Sequence, residues 1–409
     1  MTTLARQSPP AAAPAVHRLA AGRAASIDAF RGLTFLAMIF VNELGGVTGI
    51  TPWLKHMPAD ADAMSFPDVV FPAFLFIVGM SIPFSVNARL ARGGDAWDVQ
   101  RHIVSRAFAL IVMGVFMVNA EEGFDAKAMP LPIELWSLLF YAAVFMVWGV
   151  WRTENAALMR WLRIAGVGLM VVLALLYRGA PGGSGWMAPH WWGILGLIGW
   201  AYFFSCEFHL LARGRVSVLL ALLVACVAYY AAASKLALPP AIKWLFSQAP
   251  HAAHSQIVLA GTICTLIFFD MARRDSLRRR FVEALAFALA LAAAATMLRP
   301  FFPISKIYAT PSWCLYTAAL CVALFGLLYA LIDISGHDRW TRLVAPAAAS
   351  PLVTYLLPFV VVAVLSLLGL TLPPALRHGA GGLLWAAFYA ALIVWVVSWL
   401  TRWGIGLRL

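Results

Sequence analysis

The chain has 409 residues, of which 63% are hydrophobic and only 12% charged, about half the charge of a soluble domain. With a mean hydropathy of +0.84, this excludes an ordinary soluble globular protein and predicts a polytopic membrane protein. The net charge of +12 would suggest nucleic acid in a soluble chain; here it reads as the Lys and Arg excess that orients membrane helices, and no nucleic-acid partner is expected.

The chain opens on "MTTLARQSPPAAAPAVHRLAAGRAA", which lacks the apolar run and cleavage site of a signal peptide. Residues 1–27 are read as a flexible cytoplasmic tail. Twelve apolar runs follow, each about long enough to span a bilayer as a helix: 28–48, 69–88, 103–119, 133–151, 160–177, 191–211, 216–236, 255–272, 281–298, 312–334, 349–370 and 381–402. They predict an all-α membrane helix bundle, with a transmembrane domain over 28–402 and a cytoplasmic end at 403–409. Cys206, Cys226, Cys264, Cys314 and Cys321 fall inside apolar runs. Their spacing is neither a disulfide framework nor a metal site, and they read as small core residues. The apolar surface leaves room for membrane lipid and for a homo-oligomer.

Charge supports the count. Of the 30 basic residues, twenty fall in alternate segments beginning with the N-terminal tail and eight in the intervening ones, leaving aside Arg31 and Arg106 near helix ends. The positive-inside rule then puts both termini inside. His56 lies in the first outer loop. Asn42 sits about six residues, or roughly 9 Å, inside the predicted outer end of the first helix. Asp68 opens the second helix, either as a simple cap or as a partner for His56. Polar groups at a membrane rim are costly and are retained for a role.

Three further stretches have two readings each. The acidic "EEGFDAK" (Glu121 to Lys127) and the "PIE" before the fourth helix would attract an ammonium group, or form a solvated loop. The Gly-rich loop from Gly179 to Gly193 ends in a Trp pair that fits an aromatic belt better than a sugar-stacking platform. It lacks the strand–loop–helix setting of a phosphate cradle. The basic "RRDSLRRR" (Arg273 to Arg280) suits nucleotide phosphates, or topology and anionic lipid.

The stretches "SIDAFRGLTFLAMIFVNELGG", then His56, then "FPDVVFPAFLFIVGMSIPFS" resemble the heparan-α-glucosaminide N-acetyltransferase family of transmembrane acyltransferases. "PISKIYATPSWCLYTAALCVALFGLLYALIDISG" and "SPLVTYLL" extend the resemblance, which covers 26–88 and 299–356. It implies an enzyme that takes an acetyl group from cytosolic acetyl-CoA and places it on the amine of an amino sugar at the far face of a bacterial inner membrane. The family's catalytic histidine matches His56, its functional asparagine Asn42, and the acidic residue before Phe-Pro matches Asp68. The interval between His56 and Asp68, with "MPADADAMSF" in it, departs from the family pattern, as does the lack of a histidine after "TYLL".

The residue types suit that chemistry. A histidine serves as base for the ammonium proton or as carrier of the acetyl group. An amide such as Asn42 can stabilise an oxyanion, an effect of about 3 kcal/mol, and a carboxylate such as Asp68 can fix an imidazole tautomer. Arg31, Arg89 and Arg92, at inner helix ends, are the expected contacts for the phosphates of acetyl-CoA. The competing reading is a secondary transporter for a sugar or amino sugar. Against it stand the lack of a repeat between the two halves and polar residues placed at the rim instead of the midplane.

Overall fold

Each of the twelve apolar runs becomes a helix. The computed structural model describes residues 24–151, 155–236, 239, 243, 246–270 and 276–409. The tail residues 1–23, Arg152, and Arg273 and Arg274 of the basic run lie outside the described residues. The helices are α1 (Ala25–Leu44), α2 (Phe66–Leu90), α3 (Ala96–Glu121), α4 (Ile133–Trp148), α5 (Ala156–Leu176), α6 (Gly193–Ala212), α7 (Val216–Lys235), α8 (Ala249–Phe269), α9 (Leu277–Leu298), α10 (Pro311–Tyr329, prolonged by a π turn over Ala330–Ile334), α11 (Pro351–Leu367) and α12 (Gly379–Arg402).

Ten of them are long and apolar enough to cross a membrane, and α4 and α11 are shorter apolar helices of 16 and 17 residues. Both are cut short for visible reasons. After Trp148 the chain turns extended, and Gly149–Val150 pairs antiparallel with Gly406–Leu407. Pro351 cannot donate a backbone N–H, so α11 starts afresh after the short helix Ala345–Ala349 and the non-helical Ser350. The first helix also ends earlier than the sequence suggested, at Leu44. Asn42 therefore lies in its last turn, not six residues deep.

Contacts between loops sort the helix ends into two sets. At one end Thr48 N–H donates to Arg377 O, Asp125 N–H donates to Arg178 O, and Arg299 pairs with Asp62. At the other, Ser26 N–H donates to Asp333 and the 149–150 strand meets 406–407. Alternation along the chain follows, as a polytopic bundle requires.

α8 is buried along almost its whole length, with α2, α6, α7 and α10 around it. Its closest approach is to α2. A Cβ on Gly79 would collide with Val258 O, and one on Gly261 with Phe76 O. The Thr262 and Thr265 hydroxyls donate to Gly79 O at 3.1 Å and Met80 O at 3.0 Å. Small residues and hydroxyls are what draw helices together in lipid, where burial of apolar surface gives no net drive. α2, which carries Asp68, is thereby held against the centre of the bundle.

Candidate active site

α2 starts with a capping box. Ser65 is the N-cap, Pro67 lies in the first turn, and Asp68 is the third helical residue. Its carboxylate divides its work. Oδ2 accepts from Ser65 N–H at 3.0 Å, Ser65 Oγ–H at 2.9 Å and Met57 N–H at 3.2 Å, which closes the cap. Oδ1 accepts from His56 Nδ1 at 2.7 Å. Asp68 therefore closes the helix cap and hydrogen-bonds His56 at the same time. Its backbone oxygen is held as well, by Trp313 Nε1–H at 3.0 Å.

With a carboxylate at Nδ1, the imidazole carries its proton there and presents the Nε2 lone pair outward. The His56 side chain is 48% exposed, whereas that of Asp68 is 2% exposed, so the histidine is the accessible member of the pair and the carboxylate stays behind it. A cavity of about 430 Å³ receives that face. It is lined by His56, Asn42, Glu121, Lys306, Trp191, Phe71, Phe74, Ile194, Leu195 and Tyr355, among others. Asn42 is exposed into it, and its amide forms no hydrogen bond among the described residues.

Lys306 was not foreseen as a site residue. It comes from the loop between α9 and α10, and its Nζ stands 3.2 Å from both ring nitrogens of His56. The loop is tied down by Arg299 Nε–H, which donates to both Asp62 oxygens at 3.1 Å, and by Ile304 N–H, which donates to Asp62 Oδ1 at 2.8 Å. Burial pushes the Lys306 amine below the usual lysine range, with the charge of Asp68 opposing. Its only sequence signal was its place in the "PISKIY" stretch. Of the acidic patch, Glu121 reaches the cavity, while Asp125 caps its own turn by accepting from Lys127 N–H at 2.9 Å.

A second cavity, of about 400 Å³, opens toward the other end of the bundle. Arg31, Arg106 and Arg408 line it with Ser81 and Ser85. Arg31 is braced by Asp28 at 3.1 Å and Ser81 Oγ at 3.0 Å, and Arg106 lies 5.1 Å from the Tyr202 ring centroid. Arg89 reaches Ser85 Oγ at 3.0 Å, just behind the lining. Arg92 is exposed, its Nε–H donates to Ala88 O at 2.8 Å, and it is not among the residues that line the cavity. Phe74, Ile194, Leu195 and Tyr355 line both cavities, so the two abut at these four side chains. Asp68 and Ser81 are thirteen residues apart on α2, about 20 Å along its axis.

Fold and site together define a multi-pass helical membrane protein with a His–Asp pair at one cavity and arginines at a second, neighbouring one. Residues 23–237 match the family described as "Domain of unknown function (DUF5009)". That is more than half of the chain, so the chain belongs to this family. It is also similar to heparan-alpha-glucosaminide N-acetyltransferase of Mus musculus, 31% identical over 144 residues, which is 34% of this chain and 21% of the relative. The Homo sapiens protein of the same name is 39% identical over 108 residues, 26% of this chain and 16% of the relative. The matches thus span about a fifth of the length of these relatives. The resemblance read from the sequence is borne out by them.

Proposed function

We propose that this protein is a membrane-integral N-acetyltransferase that takes the acetyl group of acetyl-CoA at the arginine-lined end of the bundle and delivers it to the amine of an amino sugar at His56. The observation that carries the reading is the pair of cavities meeting at Phe74, Ile194, Leu195 and Tyr355. Two neighbouring cavities, one lined by arginines and one by His56, suit a phosphate-bearing donor and a polar acceptor that approach from different sides. The partial similarity to two N-acetyltransferases supports the reaction class.

The donor end suits a nucleotide thioester. Guanidinium groups of Arg31, Arg106 and Arg408 pair with phosphates, and the four side chains shared by the cavities suit a long uncharged arm. At the other end, His56 Nε2 takes a proton from the acceptor ammonium to free the amine that attacks, or carries the acetyl group itself. Asp68 stabilises the imidazolium that forms. The free amide of Asn42 donates to the oxyanion of the tetrahedral intermediate. Glu121 attracts an ammonium group to the cavity. In this reading the arginine-lined end faces the cytosol of a bacterium and His56 the outer face of its inner membrane, an orientation that the distribution of basic segments supports.

The test uses purified protein with labelled acetyl-CoA and a panel of amino sugars headed by glucosamine. Wild type transfers label; His56→Ala binds the donor and transfers none. A protein that neither binds acetyl-CoA nor transfers from it would overturn the proposal and leave the transporter reading to be tested by uptake.

A further inference from the structure

Lys306 is one of five lysines in the chain and, among the described residues, the only one lining the cavity at His56. A half-buried lysine is ordinarily paired with a carboxylate. Among the described residues Lys306 has no ion pair, because Asp68 commits its oxygens to His56 and the helix cap. Its Nζ instead rests 3.2 Å from His56 Nε2 and Nδ1, beside Asn42 and Glu121 in the same cavity. The chain is built to hold it there, since Asp62 anchors both Arg299 and Ile304 of its loop. Burial favours the neutral amine over the ammonium, and a desolvated lysine amine is a competent nucleophile.

A primary amine within hydrogen-bond reach of the base is what an acceptor sugar would bring to the site. We infer that Lys306 Nζ occupies the place of the acceptor amine and is itself acetylated when the donor is loaded and no acceptor is present. The inference rests on the acetyl-transfer reading above. In the step, the neutral amine attacks the thioester carbonyl of acetyl-CoA, the C–N bond forms and the C–S bond breaks. His56 Nε2 takes the amine proton and passes it to the departing thiolate, so that an amide and free CoA result. The acetylated side chain has lost its charge and its nucleophile, and it fills the acceptor's place. The enzyme is therefore self-limiting when acceptor runs out.

The experiment incubates the purified full-length protein with isotopically labelled acetyl-CoA and locates label by peptide mass spectrometry. Lys127, Lys235 and Lys243 are more exposed than Lys306, so chemical acetylation would mark them first. The expected result is label concentrated on Lys306, absent at that site in His56→Gln, and suppressed in wild type by any amine of the panel that is itself acetylated. The suppression arm needs no variant. Label spread over the exposed lysines, or an amine acetylated without protecting Lys306, would overturn the inference. So would acetylation of glucosamine with Lys306 unlabelled before its addition, and that result leaves the transferase reading standing. No label and no transfer to any amine would overturn both.

Discussion

Replacing Asp68 by asparagine separates the two jobs of its carboxylate. An asparagine oxygen in the Oδ2 place keeps the three cap hydrogen bonds from Ser65 N–H, Ser65 Oγ–H and Met57 N–H. They become neutral bonds, each weaker by about 1 kcal/mol than a bond to a charged acceptor, so stability falls by about 2–3 kcal/mol. The amide NH₂ then faces His56 Nδ1, where the carboxylate stood at 2.7 Å. Two N–H groups cannot face each other, so the ring proton moves to Nε2 and the lone pair is lost from the cavity. Loss of the correct tautomer in a triad costs roughly 10⁴-fold in rate, or about 5 kcal/mol at 1.36 kcal/mol per decade. The assay is acetyl transfer from labelled acetyl-CoA, read beside thermal melting in the same detergent. Asp68→Asn is expected to melt lower yet stay folded and to lose transfer by about that factor. Folded Asp68→Asn with wild-type transfer would refute the account of the His–Asp pair.

Arg106→Ala, which removes a guanidinium from the arginine-lined cavity, is expected to weaken acetyl-CoA binding roughly tenfold, the scale of one charged hydrogen bond. Arg92→Ala, outside the lining, should leave binding unchanged; calorimetric titration of both variants checks the pair. Gly261→Leu drives a side chain against Phe76 O across the α2–α8 contact. It should cost at least about 3 kcal/mol, seen as loss of the monodisperse peak in size exclusion. Arg299 and Ile304 N–H hold Asp62 below its ordinary carboxylate range. Its contribution to stability is therefore present above pH 3.8, the ordinary value, and is lost as pH falls through the lower folded value. Melting temperature against pH should show this fall in wild type and lack that component in Asp62→Asn.

Much of this molecule was legible in its sequence, for a physical reason. In lipid every backbone group must be satisfied within its own segment, so long apolar runs had no alternative to becoming helices. The His56–Asp68 pair was legible because the two are only twelve residues apart and Asp68 opens a helix with a capping box. The end of α1 was misjudged because Gly45 and Gly46 are apolar enough to continue a hydropathy run, although they weaken a helix. Lys306 escaped because it lies 250 residues from His56, and only loop-to-loop contacts at Asp62 bring the two together. The central place of α8 was equally hidden, since hydropathy cannot tell a helix facing protein from one facing lipid. The arginine-lined cavity borrows Arg106 from α3 and Arg408 from the segment after α12, a juxtaposition that no local pattern announces.

The central claim is that an acetyl group crosses the bundle from one end to the other. Proteoliposomes with glucosamine trapped inside and radiolabelled acetyl-CoA supplied outside test it directly, because neither compound crosses the lipid unaided. The account predicts labelled N-acetylglucosamine inside the vesicles, carried by those molecules whose arginine-lined end faces outward, and none with His56→Ala. Label formed only when acetyl-CoA and glucosamine share a compartment would contradict it.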